Sequence, residues 1–120
     1  MKKLIISAAL ITLFLFVMSL SGQNFTYVGS QKCQICHKTE KQGQQFPIWE
    51  MSNHAKSFAA LSSPAAAANA QALGVKDPTT DPKCLKCHAP LAEKAAEFKA
   101  EGVNCEACHG PGSAYKTLSI

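Results

Sequence analysis

The chain has 120 residues, with 12 lysines, no arginine, 8 acidic residues and a formal net charge of +4. Lys2 and Lys3 carry two of those charges, so the remainder is only mildly basic at +2, and no basic cluster is interleaved with aromatics; nucleic-acid binding has no support. The length suits one small domain, whose protein atoms alone would bury only a modest core.

Met1-Lys2-Lys3 is a short positive stretch, and Leu4 to Met18 is apolar apart from Ser7 and Thr12. Ser19-Leu20-Ser21 then supplies small residues for cleavage before Gly22. This layout predicts a secretory signal peptide over residues 1–21 and one domain over 22–120. No cysteine follows the leader, so a lipid anchor is not indicated. The run is at the short end for a bilayer span and no basic stop-transfer cluster follows; membrane contact is expected only if the leader is retained.

Gln23 to Gln31 is a short lead-in. Phe25, Tyr27 and Val28 are expected to form a small strand or to pack on what the next segment binds. Cys33-Gln34-Ile35-Cys36-His37 follows, and Lys38 to Gln45 is a polar, glycine-containing loop. Pro47 to Ser62 predicts one helix, with Pro47 in its first turn. Ile48, Met51, His54 or Ala55, Phe58 and Leu61 recur at spacings of three and four, which puts them on one face. Met51, the only methionine beyond the leader, is expected in the core. Ser63-Pro64 predicts a cap and first turn for an alanine-rich helix, Ala65 to Leu73, closed by Gly74. Val75 to Pro82 is a loop that leads to Cys84-Leu85-Lys86-Cys87-His88. Pro90 predicts a further short helix with Leu91, Ala95 and Phe98 on one face and Gly102 closing it. Last come Cys105-Glu106-Ala107-Cys108-His109 and the turn Gly110-Pro111-Gly112, whose glycines allow a close backbone approach to a bound group. No strand run of convincing length is present.

All six cysteines of the chain therefore sit in three copies of Cys-x-x-Cys-His, and three of its four histidines complete them. Cys-x-x-Cys-His is the attachment site of a c-type haem. Two thiols at that spacing reach the two vinyl groups on one porphyrin edge, and the adjoining histidine lies under the iron as proximal ligand. Cys33, Cys36, Cys84, Cys87, Cys105 and Cys108 are the expected attachment residues for three covalent haems, with His37, His88 and His109 on the irons. Structural zinc is the first alternative, since two knuckles make one tetrahedral site; it leaves the third knuckle unpaired and does not explain the histidines. A disulfide framework is the second.

Each iron usually takes a second axial ligand, His or Met. After the three proximal histidines only His54 remains, and its helix face points it inward as a distal ligand. Met51 lies one turn away, so the two could hardly serve one iron. Tyr115 and Lys116, past the Gly-Pro-Gly turn, are weaker donors. At least one iron is then expected to be open or capped from another molecule.

The chain resembles the cytochrome c554 family of multihaem cytochromes. The matching residues are Tyr27-Val28-Gly29 before the first motif, Trp49 to Lys56 (WEMSNHAK), Asp81 to His88 (DPKCLKCH) and Glu101 to Gly112 (EGVNCEACHGPG). The resemblance implies a mostly α fold, with short helices and loops wrapped around stacked haems, little or no sheet, and a periplasmic electron-carrier role. It also implies that His54 is a distal ligand, assigned to the haem of His109. Family members commonly carry a fourth Cys-x-x-Cys-His and a further distal histidine downstream, and the sequence in hand stops at Ile120 without either.

The expected function is electron transfer between redox protein partners through three closely placed haems, with an oligomer or a larger multihaem assembly as possible contexts. The scattered lysines suit a solvated surface or docking to an acidic partner. An open iron keeps alive a second function, reduction of a small molecule such as nitric oxide or hydroxylamine. Against it, Glu50, Lys86, Glu106 and Tyr115 look like surface residues rather than an acid–base constellation.

Overall fold

The structure, a computed structural model, describes residues 24–117; the expected leader lies outside them. The described residues hold short helices joined by turns, and no strand. The α-helices are α1 (Ser30–His37), α2 (Gln45–Met51), α3 (Asn53–Ala60), α4 (Pro64–Ala72), α5 (Pro82–His88) and α6 (Cys105–His109). Three 3₁₀ turns, Glu40–Gln42, Ala96–Glu101 and Gly112–Ala114, complete the set. The mostly α class inferred from the sequence holds. Among the described residues no helix is long and apolar enough to cross a membrane.

The helix expected over 47–62 is two helices. Ser52 adopts an extended backbone (φ −75°, ψ 164°), and its hydroxyl accepts from the Ala55 amide while donating to the Trp49 carbonyl at 2.6 Å. It therefore ends α2 and caps α3, the preferred role for a serine that can satisfy the orphan amides of a new helix. Apolar periodicity ran across the break because a cap leaves that pattern intact. The break swings the expected inner face apart. Phe46 and Leu61 are buried, but Ile48 is 59% and Met51 70% exposed, so Met51 is not a core residue.

The helix expected from Pro90 is also different. Residues 90–94 form overlapping turns, and Ala95 (φ −151°, ψ 70°) interrupts them before the 3₁₀ turn 96–101. Leu91 and Ala95 are buried as the pattern requires. The lead-in forms no strand: its Thr26 amide donates to the Ser113 hydroxyl at 2.7 Å, and its Thr26 carbonyl accepts from the Ser113 amide.

The remaining helix starts follow local chemistry. Ser63 accepts from the Ala66 amide above Pro64, and Asp81 accepts from the Lys83 amide above Pro82. Proline at the first helical position loses no intrahelical bond there. Gly74 (φ 65°) lets the chain leave α4, and the Val75 amide turns back to the Ala70 carbonyl at 2.8 Å. The buried apolar residues, Phe46, Leu61, Ala70, Val75, Ala89, Leu91 and Ala95, are small or scattered along the chain. Such a set is thin for a self-sufficient core.

Candidate haem sites

Each Cys-x-x-Cys-His stretch is helical: α1 ends on His37, α5 on His88 and α6 on His109. One helical turn places the two thiols and the imidazole of each motif on neighbouring positions. All six thiols are free, with Cys36, Cys87 and Cys108 exposed and Cys33, Cys84 and Cys105 half-buried. Among the described residues no group of three His, Cys, Asp or Glu side chains converges as a metal ion would require. The donor set is that of a thioether-linked porphyrin rather than a tetrahedral ion.

The first and third motifs are held together by two carboxylates. Glu106, inside the third motif, is 1% exposed. Its carboxylate accepts from the amides of Val28 (3.0 Å), Gly29 (2.8 Å) and Gly112 (2.6 Å). Glu101 accepts from the Ser30 amide and from the Asn104 side chain, both at 3.0 Å. These bonds satisfy donors at the start of α1, where a negative charge is also favoured by the helix dipole. Glu106 is thus no surface residue. An acidic residue between two motif cysteines looks solvated in sequence; three convergent backbone amides make it an interior anion. The close approach at Gly112 is to this carboxylate: a Cβ there would lie 2.9 Å from Oε1 and 2.6 Å from Val28.

The clamp places Cys33 and Cys105 on the wall of one cavity. Burial and then the neighbouring Cys105 push the Cys33 thiol up to about 11. The cavity measures about 280 Å³ and is lined by Cys33, His37, Gln45, Phe46, Cys105, His109 and Tyr115. Tyr115 closes its edge, with the phenol donating to the Gly110 carbonyl at 3.2 Å.

The second motif opens on a different space. A groove of about 610 Å³ runs between α5 and the end of α3 and α4, lined by Cys84, Cys87 and His88 on one side and Leu61, Ala66, Ala70 and Leu73 on the other. The two cavities share no lining residue. The alanine run thus forms one wall of this groove, with side chains of a single carbon. Its periodicity carried no signal, because alanine covers all sides of α4.

Two of the three motif imidazoles are oriented from behind. His88 Nδ1 is 2.8 Å from the Ser57 carbonyl, and His37 Nδ1 is 3.2 Å from Gln45 Oε1. An acceptor at Nδ1 keeps the proton there and leaves the Nε2 lone pair for a metal. Ser57 also binds back, its hydroxyl lying 2.8 Å from the His88 carbonyl and accepting from the Val103 amide at 3.0 Å.

His54 stands apart from both cavities. It is exposed in the first turn of α3, and its carbonyl accepts from the Val103 amide at 3.0 Å, two residues before Cys105. Trp49 fixes the same strap, donating from Nε1 to the Val103 carbonyl at 2.9 Å. The backbone of His54 is therefore tied to the third motif. Met51 and Lys116 line neither cavity.

Comparison with known proteins follows the same residues. The family model described as "Cytochrome c554 and c-prime" matches residues 32–110. Cytochrome c-554 of Nitrosomonas europaea is 30% identical over 128 residues, covering 95% of this chain and 52% of that protein. The chain thus spans about half the length of this curated relative. No solved structure matches. The chain belongs to the cytochrome c554 and c-prime family: it is a c-type cytochrome, whose iron is carried in covalently bound haem c.

Proposed function

We propose that the chain is an exported, periplasmic three-haem carrier that passes electrons between redox protein partners. Cys33 and Cys36, Cys84 and Cys87, and Cys105 and Cys108 hold the three haems, with His37, His88 and His109 as proximal ligands and His54 as a distal one. Haem c supplies a one-electron couple at its iron. The chain's own residues do the rest. The carboxylates of Glu101 and Glu106 fix α1 against α6, the Ser57 carbonyl orients His88, and the alanine face of α4 excludes water from the groove. The observation that carries the reading is the cavity lined by both Cys33 and Cys105: attachment thiols from two distant motifs open on one space. Haems attached there lie close to each other, as electron passage between them needs.

The periplasmic assignment rests on the leader pattern and on where haem attachment takes place. The redox partners are proposed only as proteins, with the surface lysines available to an acidic face. One observation favours a second reading, reduction of a small nitrogen oxide. The residues lining the groove at His88 include no other histidine and no methionine, which suits an iron open to a small ligand.

The test is expression with a haem-attachment system, followed by intact mass and low-temperature EPR of the oxidised protein. The proposal expects a secreted product, cleaved before Gly22, with three haems. Fewer than three haems would overturn the site assignment. Entirely low-spin spectra would favour the carrier alone, and a high-spin signal that responds to nitric oxide would favour the second reading.

A further inference from the structure

The loop between the first motif and α2 is built in an unusual way. Gly43 (φ 90°) and Gln44 (φ 53°) are consecutive left-handed residues, and Gln44 is the only non-glycine with positive φ among the described residues. A glutamine there carries a backbone cost that the surrounding bonds must hold in place. Those bonds are present: the Gly43 amide donates to the Glu40 carbonyl at 2.9 Å and the Gln44 amide to the Thr39 carbonyl at 3.1 Å. The result of this turn is the position of the next residue. Gln45 begins α2 with its side chain folded back over Gly43, and its Oε1 lies 3.2 Å from His37 Nδ1. The fold-back needs glycine at 43, because a Cβ there would collide with Gln45 Nε2.

We propose that Gln45 is a positioning residue for His37, and that it holds the potential of the haem on that histidine low. It rests on the reading that His37 binds haem iron through Nε2. A donor bond from Nδ1–H makes the imidazole a stronger base, which favours ferric over ferrous iron. His88 receives the same support from the Ser57 backbone carbonyl, which no side-chain substitution removes. Gln45 is thus the chain's adjustable member of the pair. Its carbonyl must face His37, since a ring nitrogen that carries a proton can only donate.

The test uses the secreted holoprotein in a redox titration followed by absorbance. Gln45→Leu is expected to move the midpoint of one of the three haems upward. Gln45→Glu, a stronger acceptor, is expected to move the same midpoint downward, and by more, because water replaces part of an acceptor lost from an exposed site. Gly43→Ala keeps the glutamine but blocks its fold-back, and is expected to move that midpoint in the same direction as Gln45→Leu. The peptide containing Cys33 and Cys36 is checked for haem by mass in every variant. A haem-bearing peptide whose midpoint ignores the substitutions, or moves the same way with Leu and Glu, overturns the role of Gln45 alone. A wild-type peptide without haem overturns the site assignment and this role with it.

Discussion

At the scale of single residues, the most consequential side chain is Glu106. Its charge is interior, and three backbone amides are its solvation. Gln at this position keeps the shape but turns an NH₂ toward N–H donors. Glu106→Gln is expected to cost about 2–3 kcal/mol, the range for losing hydrogen bonds to a buried charge. A lower urea midpoint with an unchanged slope would show it; a wild-type midpoint would mean that the clamp contributes nothing. Cys33 carries a second residue-scale prediction, for chain isolated before haem attachment. Its thiol, raised from 9.0 to about 11 by burial and by Cys105, holds about a hundredfold less thiolate at pH 8 than an unshifted one, and the thiolate is the reactive form. Iodoacetamide should therefore modify Cys33 more slowly than the exposed Cys36, Cys87 and Cys108. Equal rates at the four positions would contradict the raised Cys33 thiol. The six cysteines stand out in the sequence because their spacing is the chemistry of haem attachment. Glu106 does not, since nothing local separates a solvated glutamate from one met by amides 77 and 78 residues away.

At the scale of elements, sequence gave good helix starts wherever a cap and a proline adjoin, as at Ser63-Pro64 and Asp81-Pro82. It missed the cap at Ser52, which has no proline after it and lies inside an unbroken apolar period. It also took turns 90–94 and the 3₁₀ segment 96–101 for one α-helix, because buried residues at Leu91 and Ala95 satisfy either geometry. The α3 helix shows what such breaks achieve. Ser57 on α3 reaches the His54 carbonyl, the His88 carbonyl and the Val103 amide, so one hydroxyl ties α3 to the end of α5 and to the strap before α6. Packing leaves no room for a substitute: a Cβ on Gly102 would lie 2.5 Å from both the Ser57 hydroxyl and the His54 carbonyl. Ser57→Ala leaves the half-buried Val103 amide without this acceptor and is expected to destabilise by about 1–3 kcal/mol. Denaturant unfolding of the holoprotein measures it, and a loss well under 1 kcal/mol would mean that the His54 carbonyl, which already accepts from the same amide, suffices.

At the scale of the whole molecule, the buried apolar set of the described residues is small, and the three haems proposed above would supply much of the interior. The structure pairs the first motif, 33–37, with the third, 105–109, through Glu101, Glu106 and the cavity that Cys33 and Cys105 both line. Motif spacing could not reveal this, because the pairing depends on carboxylates meeting amides across more than 70 residues. The separation of the two cavities has a measurable consequence. Neighbouring irons interact through a low-dielectric interior, and each haem of a contacting pair also screens the other from water; both effects weaken steeply with distance and solvent. A Cys84→Ala/Cys87→Ala variant should therefore yield a two-haem protein whose remaining midpoints stay close to wild type. A Cys105→Ala/Cys108→Ala variant should instead shift the midpoint of the haem at His37, since it removes that haem's neighbour and opens the shared cavity. Redox titration of the two purified variants decides it: equal shifts from both deletions would mean that the three haems form one continuous stack rather than a pair and a separate member.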